Sequence, residues 1–188
     1  KVPVVGAVLT RRDIAGSNRL GIFEKDQPIL AEEVVRYCGE AIALVVAESK
    51  DALEQALKAI RIEYEKLEAV LDLHLALQPE SPVLHSGRAD GNVLLRDEIC
   101  CGRGAAALSE CAFSVDVSVE VNWQDHAFLE TEAGMAQVEE DGTISLVVAT
   151  QTPFRDRLEL GEALKVIPQK LHIMAPYLGG AFGGKDGI

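Results

Sequence analysis

A helical pattern between two strand-like segments sets the first limit on the fold of this chain. Apolar residues recur along one helix face with i, i+3, i+4, i+7 spacing, at Leu53, Ala56, Leu57 and Ile60. Ser49 precedes this pattern and suits an N-cap, because its hydroxyl can accept a hydrogen bond from a first-turn N–H. The apolar run Ala41–Ala47 comes before the helix, and Ile60–Glu65 follows it with alternating apolar and charged residues. The sequence therefore predicts a strand–helix–strand unit.

Further patterns extend this mixture of helices and strands along the chain. Phe113–Trp123 gives the clearest strand prediction, because apolar residues occupy every second position. Asp141-Gly142 lies between two alternating runs, Gly134–Val138 and Ile144–Ala149, and predicts a hairpin with a two-residue turn. The other predicted elements are strands at Val4–Leu9, Val34–Tyr37, Val93–Leu95 and Leu171–Ala175, a short helix at Ala105–Glu110, and a helix from Thr152-Pro153 to Leu164.

Proline and glycine residues cluster in residues 78–92, where we place a boundary between two domains, 1–77 and 93–188. The chain begins without Met, and its glycine-rich end is followed by nothing after Ile188. Such loops normally connect elements that hold them in place. We therefore expect a piece of a longer polypeptide, or one subunit of a divided protein.

The charge balance excludes several classes of partner. Acidic residues outnumber basic ones by 30 to 18, which gives a net charge of −12. Nucleic-acid binding requires a basic surface, and so does attraction to anionic lipid. No apolar run approaches the roughly 18 residues of a membrane helix. The four cysteines have neither the spacing of a metal site nor the density of a disulfide scaffold, so we expect free thiols in a cytoplasmic protein.

The glycine-rich segment Leu178–Ile188 is the motif richest in chemistry. Gly179 to Lys185 fits the first part of a phosphate-binding P-loop, but Asp186 stands where Ser or Thr would bind magnesium. A carboxylate there would also repel phosphates, which disfavours nucleotide binding. Glycines let a bulky ligand approach the main chain, successive N–H groups attract anions, and Phe182 adds an apolar plate. The residues alone leave open a cradle for a large anionic cofactor and a linker with one aromatic anchor.

Three stretches, in this order, carry a resemblance to a known family. Residues 26–47, with the following helix and Ile62–Glu65, come first; Gln124–Gly134, continued by Thr150–Pro153, comes second; Tyr177–Asp186 comes third. They resemble the molybdenum hydroxylases, the xanthine dehydrogenase and aldehyde oxidase family. The resemblance covers nearly the whole chain and implies an α+β fold. Residues 1–77 would form an α/β-hammerhead domain truncated at its N-terminus, 78–92 a linker, and 93–188 the first part of a molybdopterin-binding domain.

The resemblance implies a cofactor site built from main chain and one amide. In this family the dithiolene of a pterin holds the metal, so no Cys or His ligand is expected. Gln124 matches the glutamine whose amide lies near molybdenum and helps to hold the pterin. Phe182 and Gly183 match loop residues whose main chain contacts the ligands of the metal, and Gly180 and Ala181 belong to the same loop. Ala181 stands where many relatives have glycine, and alanine would resist a positive φ.

Other polar residues near these motifs receive more modest roles. Asp186 falls where purine-oxidising relatives carry a substrate-contacting glutamate, so the resemblance implies a substrate contact. The alternative is a solvated loop carboxylate beside Lys185. We expect His126 to be structural, and Glu130 and Glu132 to make ordinary local hydrogen bonds.

The activity implied by the resemblance is the hydroxylation of an aldehyde or an N-heterocycle with water as oxygen donor. The catalytic base would be a glutamate beyond Ile188, so this chain alone is predicted to be inactive. The implied cofactors are molybdopterin with molybdenum, in the cytosine dinucleotide form, and a 2Fe–2S cluster and FAD on partner subunits. The implied partners are these two subunits and the rest of the molybdenum-binding polypeptide. The alternatives are a non-catalytic assembly subunit of the same fold and a P-loop protein.

Overall fold

The computed structural model describes residues 5–186 and contains two compact units. One unit joins the described residues up to Glu68 to those from His126 onward, and the other is Ala69–Asp125. None of the helices in this part of the chain has the length and apolar character that crossing a membrane requires. The domain limits expected from the sequence, 1–77 and 93–188, stay predictions.

The first part of the larger unit is two small antiparallel ladders and one helix. Strand β1 (Val5–Leu9) pairs with β4 (Leu44–Ala47), and β2 (Arg19–Leu20) pairs with β3 (Gln27–Pro28). Helix α1 (Lys50–Ala59) follows β4 and packs against β4 and β1. The predicted strand before the helix is therefore confirmed for its last four residues, and the prediction at Val4–Leu9 is confirmed from Val5 onward.

Helix α1 begins where the sequence predicts, but it buries a slightly different face. The Ser49 hydroxyl accepts a hydrogen bond from the N–H of Ala52 at 3.2 Å, as an N-cap should. Ala52 and Ala56 are the buried residues, whereas Leu57 is 53% exposed. Small side chains let the helix approach the strands closely. The buried face is therefore centred about one residue away from the predicted one.

Two strand predictions around this part are wrong. Val34–Tyr37 forms no strand, because the Arg36 N–H donates to Glu40 Oε2 at 2.6 Å and the chain folds back on the buried Glu40 side chain. Ile60–Glu65 also forms no strand, although α1 does end just before it. The alternation gives this segment an apolar face and a charged face. A β-strand also requires a neighbouring strand that pairs with its backbone by hydrogen bonds.

The second part of the larger unit is a three-stranded sheet with one crossing helix. Strands β5 (Gly134–Val138) and β6 (Ile144–Val148) are antiparallel, and β7 (Leu171–Met174) lies parallel to β6 on its other side. Helix α3 (Pro153–Leu164) makes the crossover that parallel pairing needs, and it packs against β7. The hairpin, the helix and the strand after it are confirmed at nearly their predicted limits.

The predicted two-residue hairpin turn is wrong by one residue. The innermost backbone pair joins Glu139 N–H to Thr143 O at 2.8 Å, so the loop between them contains residues 140–142. Asp141 accepts hydrogen bonds at 2.9 Å from both the N–H and the hydroxyl of Thr143, and Gly142 has φ +78°. A side-chain turn of this kind favours the longer loop, in which glycine supplies the left-handed residue.

The unit Ala69–Asp125 contains little regular structure. Helix α2 (Leu73–Ala76) was not predicted, and the predicted helix at Ala105–Glu110 is a 3₁₀ segment over Gly104–Glu110. The predicted strands at Val93–Leu95 and Phe113–Trp123 do not form in the described chain. The alternating apolar side chains of the second segment are instead 75–94% exposed. The pattern supplies a face for a sheet, but pairing needs a neighbouring strand that the described residues do not provide.

A loop near the start of the chain closes the C-terminal end of α3. The N–H groups of Gly16 and Ser17 donate to the carbonyls of Ala163 and Glu162 at 2.8 and 3.0 Å. Lys25 adds an ion pair with the Glu162 side chain. These bonds satisfy carbonyls that a helix end leaves without internal partners. A Cβ at Gly16 would lie 1.8 Å from the Glu162 carbonyl oxygen, so only glycine fits this approach.

Candidate functional site

The glycine-rich loop, residues 178–186, follows β7 and changes backbone handedness several times. Gly180, Phe182 and Gly183 have φ values of +99°, +54° and +95°, whereas Ala181 is not among the residues of positive φ. The methyl group of Ala181 therefore causes no backbone strain, and the strained non-glycine residue is Phe182. Ala181 is buried, and Phe182 is 77% exposed, which leaves its ring available to a ligand.

Glu130 holds both ends of this loop through one carboxylate oxygen. Its Oε2 accepts hydrogen bonds at 2.9 Å from the Gly179 N–H and from the Lys185 ammonium. The Glu130 N–H also donates to the Gly179 carbonyl at 3.3 Å. The expectation that Glu130 makes only local hydrogen bonds is therefore wrong. A residue far away in the sequence closes the loop at its base.

The two donors also shift the acidity of Glu130. The hydrogen bond from the Gly179 N–H, followed by the Lys185 ammonium, holds the pKa of the Glu130 carboxyl below its ordinary value. Both interactions favour the ionised carboxylate. Glu130 is consequently charged when it binds the loop.

Lys185 is the one basic residue of the loop 178–186, and its side chain is buried. Its side chain is 1% exposed, and its Nζ lies 4.7 Å from the centre of the Phe128 ring. A buried ammonium needs a partner, which Glu130 and the aromatic face provide. In a P-loop this lysine would reach phosphates. Here its ammonium is already bound within the protein, which counts against the P-loop alternative.

Gln151 binds the second half of the loop through main-chain groups. Its Oε1 accepts hydrogen bonds from the N–H groups of Gly183 at 3.1 Å and Lys185 at 3.3 Å. Its own N–H donates to the Lys185 carbonyl at 3.0 Å. Gln151 lies between β6 and α3, so the sheet and the helix together fix its position.

Asp186 is joined to the start of α3 by an ion pair. Arg155 Nη2 lies 2.5 Å from Asp186 Oδ1 and also donates to the Thr152 hydroxyl at 3.2 Å. The Thr152 hydroxyl in turn donates to Asp156, a fully buried carboxylate that also accepts a hydrogen bond from the Thr150 hydroxyl. Asp186 is therefore paired, and its side chain is still 35% exposed. The substrate contact and the solvated loop carboxylate both stay predictions for this residue.

Aromatic side chains pack under the loop and leave no room for a side chain at Gly184. A Cβ at this position would lie 2.6 Å from Phe128 Cε1 and 3.0 Å from His126 Cγ. The His126 imidazole also lies beside Gly183. This packing supports the structural role expected for His126.

Three consecutive N–H groups of the loop have no partner among residues 5–186. In the part of the chain that the structure describes, no acceptor pairs with the N–H of Gly180, Ala181 or Phe182. Changes of φ sign along such a run produce a concavity of N–H groups that suits an anion. The loop therefore fits an oxygen- or sulfur-rich anionic group next to an exposed aromatic ring.

The predicted site residues fall in both units. The loop brings together Gly180, Ala181, Phe182 and Gly183, with Asp186 at its end, whereas Gln124 lies in the unit Ala69–Asp125 and is exposed. The cofactor contacts of these residues stay predictions.

Sequence reasoning missed the contacts that hold the loop in place, which Glu130, Gln151 and Arg155 make. Glu130 and Gln151 lie inside the stretches that carry the family resemblance. Nothing in a local pattern, however, pairs them with residues 179–185.

Two family models match this chain. The model described as "Molybdopterin cofactor-binding domain" matches residues 84–188. The model described as "Aldehyde oxidase and xanthine dehydrogenase, a/b hammerhead domain" matches residues 1–68. Together they give the order that the sequence resemblance implies.

Two curated relatives are similar over almost the whole chain. A probable xanthine dehydrogenase subunit of Bacillus subtilis (strain 168) is 38% identical over 186 residues, which cover 99% of this chain and 25% of the relative. The "Nicotinate dehydrogenase large molybdopterin subunit" of Eubacterium barkeri is 38% identical over 181 residues, 96% of this chain and 42% of the relative. The chain thus spans less than half the length of either relative.

Solved structures share the fold. Quinoline 2-oxidoreductase from Pseudomonas putida 86 matches with a TM-score of 0.79 and 30% identity, over 98% of this chain and 24% of that one. The aldehyde oxidoreductase from Desulfovibrio gigas has a TM-score of 0.84 at 24% identity, over 98% of this chain and 21% of that one. With both family models in order, the chain belongs to the molybdenum hydroxylases, the aldehyde oxidase and xanthine dehydrogenase family, with a hammerhead domain followed by the start of a molybdopterin cofactor-binding domain.

Proposed function

We propose that this chain forms part of the cofactor-binding region of a molybdenum hydroxylase that oxidises an aldehyde or an N-heterocycle. The observation that carries the proposal is the loop 178–186. It is closed at its base, and beside an exposed aromatic ring it offers N–H groups that no described residue accepts from. The names of the relatives support this substrate class, because xanthine, nicotinate and quinoline are N-heterocycles. In the overall reaction, water supplies the oxygen atom that replaces hydrogen on carbon, and electrons and protons are released.

Within this proposal the loop residues bind the cofactor. Gly180, Ala181, Phe182 and Gly183 would contact the molybdopterin, with Phe182 near molybdenum and Gln124 also near the metal. The bound cofactor would accept the electrons taken from substrate. The chain's own contribution is to bind and orient: N–H groups face the anionic group, and the Phe182 ring keeps one side apolar.

We propose that Asp186 contacts the substrate while its negative charge is paired with Arg155. Arg155 neutralises the carboxylate, and about a third of the Asp186 side chain stays exposed. A polar substrate group could therefore bind it without facing an unpaired negative charge. We assign no catalytic base to the present chain, and we propose that the base lies beyond Ile188.

The finer assignments also belong to the proposal. They are the cytosine dinucleotide form of molybdopterin, a 2Fe–2S subunit, an FAD subunit and the remaining molybdenum-binding polypeptide as partners, and a cytoplasmic location. The subunit names of relatives support a multi-subunit assembly. The four exposed free cysteines fit a reducing compartment.

The test is the molybdenum content of the full polypeptide purified with its partner subunits. Elemental mass spectrometry should find about one molybdenum atom per polypeptide, as expected when a single cofactor carries the chemistry. Gln124→Ala should lower this content, whereas the matched change Gln137→Ala on strand β5 should leave it unchanged. With water enriched in oxygen-18, the product of an aldehyde or N-heterocycle should carry the label.

Two results would contradict the proposal. An intact assembly without molybdenum would favour the non-catalytic assembly subunit. Magnesium-dependent nucleotide binding at the loop would favour the P-loop protein.

A further inference from the structure

We propose that Glu130 and Lys185 form a positioning pair that closes the glycine-rich loop and thereby sets the orientation of its cofactor-binding N–H groups. The inference rests on the proposed function for the identity of the ligand, but the closure itself is a property of the chain. Neither residue is a catalytic residue in this proposal, because each acts through the main chain of the loop.

The geometry shows how a single side chain closes the loop. One oxygen atom, Glu130 Oε2, binds the Gly179 N–H and the Lys185 ammonium, each at 2.9 Å. Gly179 and Lys185 flank the segment of the three N–H groups for which the described part of the chain holds no acceptor. Fixing both flanks to one oxygen limits the conformations of the segment between them, which is the physical basis of preorganisation.

Burial shows why the charge of the pair matters. The Lys185 side chain is 1% exposed, so its ammonium is not available for direct contact with a ligand bound in solvent-accessible space. Among the described residues, Glu130 is the carboxylate that pairs with it. A buried ammonium without that partner would draw water or move toward solvent, because an unpaired buried charge is strongly unfavourable. Movement of the Lys185 side chain would break its hydrogen bond to Glu130 and so separate the two flanks that this carboxylate joins.

The loop contains one strained residue, Phe182, whose conformation depends on the contacts around it. Phe182 has φ +54°, a conformation that costs a non-glycine residue free energy unless its surroundings impose it. The Gln151 amide fixes Gly183 and Lys185 on one side of Phe182, and Glu130 fixes Gly179 on the other. Opening the pair would remove the Lys185 contact to the oxygen atom that also holds Gly179, so Glu130 would no longer join the two flanks of the loop.

Hydrogen exchange and molybdenum content, measured on the full polypeptide with its partner subunits, test the proposal together. Glu130→Gln keeps the size and an acceptor for the Gly179 N–H but removes the charge. It should speed amide exchange at Gly179, Gly183 and Lys185 by about tenfold or more. The double change Glu130→Gln with Lys185→Met removes the pair as a whole, so exchange should stay faster than in the wild type. Wild-type exchange in the double variant would overturn the closure, because it would show that only an unpaired buried charge disturbs the loop. Glu132→Gln is the matched control and should leave the loop unchanged.

A second readout separates positioning from general stability. Glu130→Gln should lower the molybdenum content or alter the electron paramagnetic resonance signal of the bound metal, while the melting temperature of the assembly stays near that of Glu132→Gln. Loop exchange equal to that of the control would overturn the closure. Faster exchange with unchanged molybdenum content and signal would overturn the positioning role. A wild-type assembly without molybdenum would contradict the proposed function, and the exchange comparison would still decide the closure.

Discussion

Arg155, in the first turn of α3, and Asp186, at the end of the glycine-rich loop, are joined by an ion pair of 2.5 Å. Arg155 also binds the Thr152 hydroxyl, so the guanidinium connects the loop to the cap of the helix. Gln151 and Arg155 therefore attach the loop to the sheet and helix α3. The carboxylate of Glu130 attaches it a third time, through Gly179 and Lys185.

We expect the Arg155–Asp186 pair to contribute modestly to stability. Both side chains are partly exposed, and pairs of this kind are typically worth about 1 kcal/mol or less. A double-mutant cycle with Arg155→Gln and Asp186→Asn, followed by urea unfolding, should give a coupling free energy in that range. The exposed pair Arg103–Glu110 serves as the reference cycle. A coupling several times larger would show that the first pair is effectively buried.

Replacing Gly184 with alanine should destabilise the protein because of a steric clash. The added methyl group would lie 2.6 Å from the Phe128 ring, and overpacking of this kind costs about 1–3 kcal/mol. Gly6→Ala is the matched control, since its nearest neighbours would be at 3.6 and 3.8 Å. Thermal unfolding of both variants should separate them clearly. Equal melting temperatures would mean that the Phe128 ring moves aside freely.

Removing the buried Asp156 carboxylate should be among the more costly single changes. Asp156→Ala leaves the nearly inaccessible Thr150 hydroxyl without its acceptor, for a loss of about 2–4 kcal/mol. Asp51→Ala, in the exposed first turn of α1, should cost less than about 1 kcal/mol. Urea titration monitored by circular dichroism measures both. Similar losses for the two variants would contradict the proposed importance of the buried network.

Stability should decrease in acid partly through Asp141. The N–H of Thr143, then the Thr143 hydroxyl and Lys170, lower the pKa of Asp141 to about 2 from its ordinary 3.8. A lowered pKa in the folded state gives stability that is present above pH 3.8 and is lost as the pH falls toward 2. Asp141→Asn should therefore make the melting temperature less dependent on pH between these values. An unchanged slope in the variant would contradict this assignment.

The exposed apolar side chains that alternate along Phe113–Trp123 should make the isolated chain prone to self-association. Phe113, Val117 and Trp123 are 82%, 77% and 94% exposed, and exposed alternating segments of this kind pair readily with other chains. Val117→Lys should reduce association of the 188-residue chain in analytical ultracentrifugation without lowering its melting temperature. Gln137→Lys, on the exposed strand β5, is the control. Association that is insensitive to Val117→Lys would place the contact elsewhere.

The predictable part of the fold is the part in which the determinants are local. Ser49 caps α1, Pro153 begins α3, and Asp141-Gly142 turns the hairpin, and each acts within a few residues of its own position. Phe113–Trp123 shows the opposite case. Its alternation satisfies every local criterion for a strand, yet a strand exists only when another segment supplies hydrogen bonds.

The same distinction applies to the candidate site. The glycines and Phe182 were identifiable because a ligand-binding loop has a recognisable composition. The residues that hold the loop were not, because Glu130 contacts Gly179 and Lys185 across a long stretch of chain. Burial of Lys185 is also a three-dimensional property, since by sequence a lysine among glycines suggests a surface position.

The bonds from Gly16 and Ser17 to the end of α3 have a consequence for the order of folding. Gly16 and Ser17 are synthesised well before Glu162 and Ala163, whose carbonyls accept these bonds. During translation, the loop that contains Gly16 and Ser17 cannot make these bonds until α3 has been synthesised. Contacts of such high sequence separation slow folding, because the intervening chain must be ordered before they form. The hammerhead segment should therefore reach its final state late, together with the helix whose carbonyls it binds.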